Sequence, residues 1–327
     1  MKIDSIKDSN SSNNVNSINN RNILISNNPN INNRSNISNN PYFLMALLLV
    51  LWGSFAAVSK LVLKNIDSFQ SQFYMFAIAL ISMTLVLMFN GRIKVLVSLT
   101  IKDYCFLFLS SVFSFGYYFF YMMALKIIPA VEASMLNYLF PVMILIFSVP
   151  INGEKLDKKK VVSILLGFLG MIIILTNGNF QNVKMTNIKG DLLAISGAIC
   201  WGIFSNLGKK NRIDNFISNY IFVVMSFVFS WICMRAFSSF VVPDFKSFGG
   251  LIWLSLSNIV FSYYIWFKAL KNASSSLIAS LSFITPFITL VFIKFLLGED
   301  ITLIQFTGLI IILLGTAVQS IKLRTKY

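Results

Sequence analysis

A single unit is written twice in this chain. Adding 145 to the positions of Ala124, Leu125, Lys126, Pro141, Gly153, Glu154 and Gly170 lands on Ala269, Leu270, Lys271, Pro286, Gly298, Glu299 and Gly315. A second offset, 149, carries Trp52, Gly53 and Lys60 onto Trp201, Gly202 and Lys209. Two of the matched residues are prolines inside apolar runs, a placement that composition alone does not produce twice at one spacing. Whatever this chain folds into is therefore assembled from two related halves.

The halves are made for lipid. Hydrophobic residues are 56% of the 327 and charged residues 12%, against about 25% charged in an average soluble protein. Windows of about 20 apolar residues, enough to cross a hydrocarbon core of about 30 Å, recur from Tyr42 onward. Ten are read, near 42–63, 70–90, 103–125, 130–150, 160–177, 190–208, 216–239, 248–270, 275–297 and 302–321. Lipid offers an exposed backbone no hydrogen-bond partner, and the alternation of a barrel strand is missing, so all ten are predicted as helices. The expected fold is an all-α polytopic membrane protein with ten transmembrane helices in two five-helix repeats, residues 42–177 and 190–321.

The flanks differ in kind. The first 40 residues hold 15 Asn and 8 Ser, too little apolar surface to offset the entropy of ordering, so residues 1–41 are expected to form a disordered tail. No apolar run precedes Tyr42, which argues against a secretory signal. Of the 27 Lys and Arg, 19 fall in this tail, in every second connection between spans and in a short basic C-terminal tail at 322–327; the other side holds 8. Excess positive charge marks the cytoplasmic face, so both termini are expected there, with the protein in the cell (plasma) membrane. Five crossings per copy is an odd number, which makes the two copies inverted. Inverted repeats place a shared site near the bilayer midplane, the arrangement of a secondary transporter working by alternating access.

Other chemistries are poorly supported. A net charge of +15 suggests nucleic acid only on a soluble fold with a basic face, whereas here Lys and Arg sit mostly between apolar runs. Cys105, Cys200 and Cys233 share no metal-like spacing and read as small buried apolar residues. The chain has no histidine, which removes His-dependent triads and zinc motifs. There is no GxxxxGK[ST] loop for ATP and no catalytic constellation at membrane depth, so neither an enzyme nor a cofactor or metal is expected. The expected partners are a small-molecule substrate and the lipid bilayer, with no nucleic acid and with a homodimer left open.

Candidate site residues follow from depth and repetition. Pro141 and Pro286 each lie about 11 residues into their span, roughly 16 Å deep. A proline lacks the N–H that the carbonyl four residues back would use, so Asn137 and Ser282 are expected to present free acceptors at a kink, with the side chains of Asn137, Ser282 and Thr285 beside them. A packing kink satisfied by a neighbouring hydroxyl is the alternative. Tyr118 and Tyr263 correspond under the 145 offset and are candidates to stack on a substrate. Trp52 and Trp201, each followed by Gly, lie mid-span and suit either helix packing or a cavity wall. Glu132 is a carboxylate in the first turn of span 4; contact with a substrate ammonium or a proton relay is one reading, exposure at the outer surface the other. Glu154 and Glu299 read as structural residues of a turn. Lys60, Lys209 and Arg235 either snorkel or meet a substrate carboxylate.

These residues together resemble the EamA family of the drug/metabolite transporter superfamily. LLLVLWGSFAAVSK in span 1, LLAISGAICWGIFS in span 6, and Pro141 with Gly153-Glu154 mirrored by Pro286 with Gly298-Glu299 carry the likeness. It runs from Tyr42 to about Ile321. PAVEASMLNYLFPV is similar to span 4 of the aromatic amino acid exporter subgroup, which tends to have Trp where this chain has Phe140. The resemblance implies a ten-helix carrier with a central cavity, exporting amino acids or related metabolites, and it adds Tyr138 to Glu132, Asn137, Pro141 and Pro286 as motif positions. A nucleotide-sugar or organic phosphate exchanger of the same superfamily is the rival within transport. A non-transporting membrane scaffold is the rival outside it.

Overall fold

The computed structural model of the protein describes residues 39–128, 130–182, 186–297 and 300–320. The expectations for most of the N-terminal tail, the C-terminal tail, Pro129, Gly298, Glu299 and the side chain of Lys60 fall outside that description. Every regular element among the described residues is helical. The first half contains α1 (Pro41–Val62), α2 (Ser68–Phe89), α3 (Ile93–Val97), α4 (Ile101–Ile127), α5 (Ala130–Asn137), α6 (Phe140–Asn152) and α7 (Lys158–Thr176). The second contains α8 (Ile188–Lys210), α9 (Asn215–Phe237), α10 (Phe245–Ser255), α11 (Ser262–Asn272), α12 (Ser275–Ser282), α13 (Thr285–Leu297) and α14 (Leu303–Ser320).

Short polar residues start these helices. Asp67, Asp157, Asn187, Asp214 and Asp244 each accept hydrogen bonds from backbone N–H groups of the first turn, satisfying donors that a helix leaves free. Thr100 and Asp103 form a reciprocal capping box at α4. The α6 helix stops at Gly153, whose φ of 68° is the left-handed conformation glycine adopts without strain.

The exterior is apolar as well as the core. Phe89, Phe245 and Leu303 project outward, while Ser110, Ser114, Ser205 and Ser262 are fully buried. An exterior of large apolar side chains suits hydrocarbon; Ser110 and Ser262 donate to helix carbonyls, whereas Ser114 and Ser205 pair with the side chains of Tyr263 and Trp266. Among the described residues, eight segments are long and apolar enough to cross a bilayer, and Pro41–Phe55 and Leu303–Val318 are apolar but shorter. Eight of the ten expected spans thus meet that standard.

Three of those segments are interrupted. The span expected at 130–150 is α5 and α6, separated by a bend at Tyr138 and Leu139, and that expected at 275–297 is α12 and α13, separated at Phe283 and Ile284. A kink was expected within a continuous helix; instead each helix ends and restarts, with Pro141 and Pro286 in the first turn of the new one. A first-turn proline has no intrahelical acceptor to lose, so the restart accommodates it better than a mid-helix position would. The third interruption, a π turn at Leu256–Phe261 between α10 and α11, was not expected. There the Ser262 hydroxyl donates to the Ser257 carbonyl at 2.5 Å and the Ser257 hydroxyl to the Trp253 carbonyl at 2.6 Å, re-satisfying acceptors that the wider turn releases.

Packing exchanges the two halves. The α8 helix lies against α4, α5 and α6 of the first half, while α1 lies against α10, α11 and α13 of the second; α2 pairs with α9, its counterpart, and α7 with α14. The seams repeat to the residue. A Cβ on Gly53 would stand 2.5 Å from Ile288, and one on Gly202 would stand 2.6 Å from Met143. The positions 143 and 288 differ by the 145 offset, and 53 and 202 by 149. The absent methyl is what lets α1 approach α13 and α8 approach α6.

Candidate functional site

The two tryptophans that precede those glycines meet at the centre. Trp52 and Trp201 lie 6.0 Å apart edge to face, and Trp266 completes the group at 5.1 Å from Trp52 and 6.1 Å from Trp201. The second repeat-related pair meets beside them: the Tyr263 hydroxyl donates to that of Tyr118 at 3.4 Å, and Tyr263 stands 6.1 Å from Trp201. Tyr117 packs on Trp201 at 4.8 Å. Six rings from α1, α4, α8 and α11 thus form one centre, with both equivalent pairs in contact across it. Trp266 and Tyr263 are fully buried, whereas Trp52, Tyr117 and Tyr118 keep accessible surface.

The break between α5 and α6 supplies the polar edge. Asn137, the last residue of α5, donates through Nδ2 to the Tyr117 hydroxyl at 3.3 Å. Two buried polar atoms of this centre have no partner among the described residues: Asn137 Oδ1, an acceptor, and Trp201 Nε1, a donor. Leaving such an atom unpaired costs about 1–3 kcal/mol, so each marks a place where an incoming molecule or a water gains a hydrogen bond. By contrast the Trp266 indole donates to Ser205 at 3.2 Å, and Ser114 and Tyr263 share a hydrogen bond at 3.1 Å. Tyr138 keeps accessible surface at the bend and stacks loosely on Phe140 at 5.9 Å.

The other expected residues lie elsewhere or are already engaged. The Ser282 hydroxyl donates to the Ala279 carbonyl, and the Thr285 hydroxyl donates to the Ser282 carbonyl, both at 2.7 Å. The acceptor that Pro286 was expected to free is therefore capped by its neighbour, and neither side chain joins the aromatic centre. Exposure of Glu132 at the outer surface is also corrected: the residue is buried, and its carboxylate accepts the Thr186 N–H at 2.7 Å and the Thr186 hydroxyl at 2.8 Å. Tyr117, Trp266 and Ser114 belong to the centre without having been singled out. The first two stand within the aromatic runs of spans 3 and 8, where an all-apolar helix gives no period to show which ring faces inward.

Glu154 is more than a turn residue. It accepts Lys209 Nζ at 2.7 Å and both the N–H and hydroxyl of Ser275, at 3.0 and 2.7 Å. Burial works against its charge, but Lys209 and the Ser275 donors outweigh it and hold the carboxyl below the usual glutamate range. This bolt joins the ends of α6 and α8 to the start of α12. A cavity of about 600 Å³ opens there, lined by Lys155, Lys160, Lys209 and Lys271 among others. Lys209 is thus committed to an ion pair away from the rings, and Arg235 is exposed.

The sequence profile of the EamA-like transporter family matches residues 40–176 and 188–321. An uncharacterized transporter of Archaeoglobus fulgidus is 28% identical over 86% of this chain and 97% of its own length. The aromatic amino acid exporter YddG of Ancylobacter novellus is 28% identical over 53% of this chain and 60% of its own length. A probable amino-acid metabolite efflux pump of Salmonella typhimurium is 23% identical over 62% of this chain and 71% of its own length. A solved crystal structure superposes with a TM-score of 0.76 at 21% identity, covering 86% of this chain and 96% of that one, which establishes likeness of fold.

Proposed function

The chain belongs to the EamA-like transporter family, and from that premise we propose that it carries amino acids across the plasma membrane, outward in preference to inward, by alternating access. The carrier has ten spans in two inverted five-helix repeats, residues 42–177 and 190–321, with both tails cytoplasmic. Trp52, Trp201, Tyr118 and Tyr263, joined by Tyr117 and Trp266, form the walls of the substrate site. Asn137 and Tyr138 form its polar edge.

The observation that carries this reading is the pairing of a neutral aromatic centre with one unmatched donor and one unmatched acceptor. A zwitterion with an apolar or aromatic side chain supplies the complement: carboxylate oxygen to Trp201 Nε1, ammonium hydrogen to Asn137 Oδ1, side chain among the rings. Stacking on the rings favours an aromatic side chain, which agrees with the aromatic amino acid exporter named above, while the efflux pump agrees only with an amino-acid metabolite. A phosphate or nucleotide-sugar exchanger needs cations at the site, whereas Lys209 is bound to Glu154 and Arg235 is exposed.

Counterflow in proteoliposomes loaded with a panel of labelled amino acids tests the proposal. Exchange of tryptophan, tyrosine or phenylalanine is expected, abolished in Trp201→Ala. Exchange of sugar phosphates instead would select the rival carrier, and no exchange of any solute would remove the transport reading. Labelling of engineered cysteines from each side tests the inverted topology.

A further inference from the structure

Two carboxyl groups meet inside the protein at the end remote from Glu154. Glu132 in the first turn of α5 is 5% exposed and Asp191 in the first turn of α8 is 3% exposed. Their carboxyls lie within hydrogen-bond reach of each other. Each Glu132 oxygen already accepts one donor from Thr186, while Asp191 Oδ1 is buried with no partner among the described residues. Ionised carboxylates are acceptors only, so two in contact attract when a proton stands between them and repel when it does not.

No cation substitutes for that proton among the described residues. The ion pairs found are Arg92–Asp214, Lys209–Glu154 and Lys294–Asp300. On α8, Lys189 is exposed; on α4, Lys126 sits 4.0 Å over the Phe69 ring, and Tyr121 shares a hydrogen bond with Ser134 at 3.1 Å. The lysines of α7 cluster at its opposite end, Lys158 to Lys160. Two helix N-termini and the Thr186 donors favour one negative charge at the pair; among the described residues no cation offsets a second.

We propose that Glu132 and Asp191 form a proton-binding site, one proton held between two carboxyls, whose occupancy clamps α5 to α8. The proton exchanges between bulk water and a carboxyl oxygen, and no other bond changes. Its loss drives α5 from α8 and opens the bundle at that end. The clamp reaches the aromatic centre along both helices: Asn137 lies about 7.5 Å along α5 from Glu132, and Trp201 about 15 Å along α8 from Asp191, at ~1.5 Å per residue.

The test needs no substrate, so it fails or succeeds independently of the transport reading. Infrared titration of the full-length protein in liposomes is expected to show a protonated-carboxyl band near neutral pH that vanishes in both Asp191→Asn and Glu132→Gln. In a protein whose native cysteines are replaced, Ala194→Cys, buried in the α8 seam facing α4 and α5, reports opening through a water-soluble maleimide. Labelling is expected to rise several-fold as pH rises and the band disappears. With Asp191→Asn added it stays low at every pH, because the amide hydrogen replaces the shared proton. Absence of the band in the native protein, its survival in both variants, or labelling that ignores its titration would each overturn the proposal.

Discussion

The two broken spans have the same backbone and opposite uses. Asn137 and Ser282 are equivalent under the 145 offset, as are Tyr138 and Phe283, and Pro141 and Pro286. At the first break Asn137 leaves an acceptor unmatched and Tyr138 keeps accessible surface. At the second, two hydroxyls turn back on the backbone, and Phe283 is fully buried against Phe168 at 6.4 Å. Proline dictates the interruption in both copies, because its missing N–H is cheapest in a first turn. Nothing in that requirement fixes the neighbouring side chains, so one break became a polar edge and the other a sealed joint.

Substitution at equivalent positions separates those uses. Phe283→Ala is expected to cost about 3–5 kcal/mol of stability by emptying a packed site, while Tyr138→Ala changes stability little and weakens transport; thermal unfolding in detergent beside counterflow distinguishes them. Asn137→Leu is expected to raise the half-saturating concentration about tenfold, near 1.4 kcal/mol, with the fold intact. Comparable loss of transport in Ser282→Ala would break the comparison. That variant is expected to cost at most about 1 kcal/mol of stability, the worth of one hydrogen bond, with transport affinity unchanged.

Glu154 links the two broken spans, tying the end of α6 to the start of α12. Its carboxyl is held below the unfolded value, so its stabilising contribution is complete above the ordinary glutamate range and is lost as pH falls through the lower, folded value. Glu154→Gln is expected to lower stability at neutral pH, where the carboxylate's contribution is complete, and, with the titrating group gone, to flatten the acid limb of a stability-against-pH curve.

Much of this was legible because repetition supplied what periodicity does not. A helix that is apolar all round carries no amphipathic signal, yet the offsets singled out Trp52 with Trp201 and Tyr118 with Tyr263, and both pairs meet. Tyr117 and Trp266 escaped because their repeat counterparts are Ser262 and Tyr121, so duplication could not mark them. Asp191 escaped for another reason: at the edge of an apolar run it reads as a loop residue, and its partner lies 59 positions earlier in the chain. The prolines announced where α5 and α12 stop, but the Thr285 hydroxyl over the Ser282 carbonyl is a local choice of rotamer that spacing does not encode.

The paired glycines set a rule for how the carrier can move. Gly53 rides on Ile288 as Gly202 rides on Met143, two matched bearings, and a bundle that rocks as proposed above must turn on both together. A single methyl on either jams that bearing alone and leaves a lopsided machine. Gly53→Ala and Gly202→Ala should therefore park the protein facing opposite compartments, giving mirror-image traps from one chemical change.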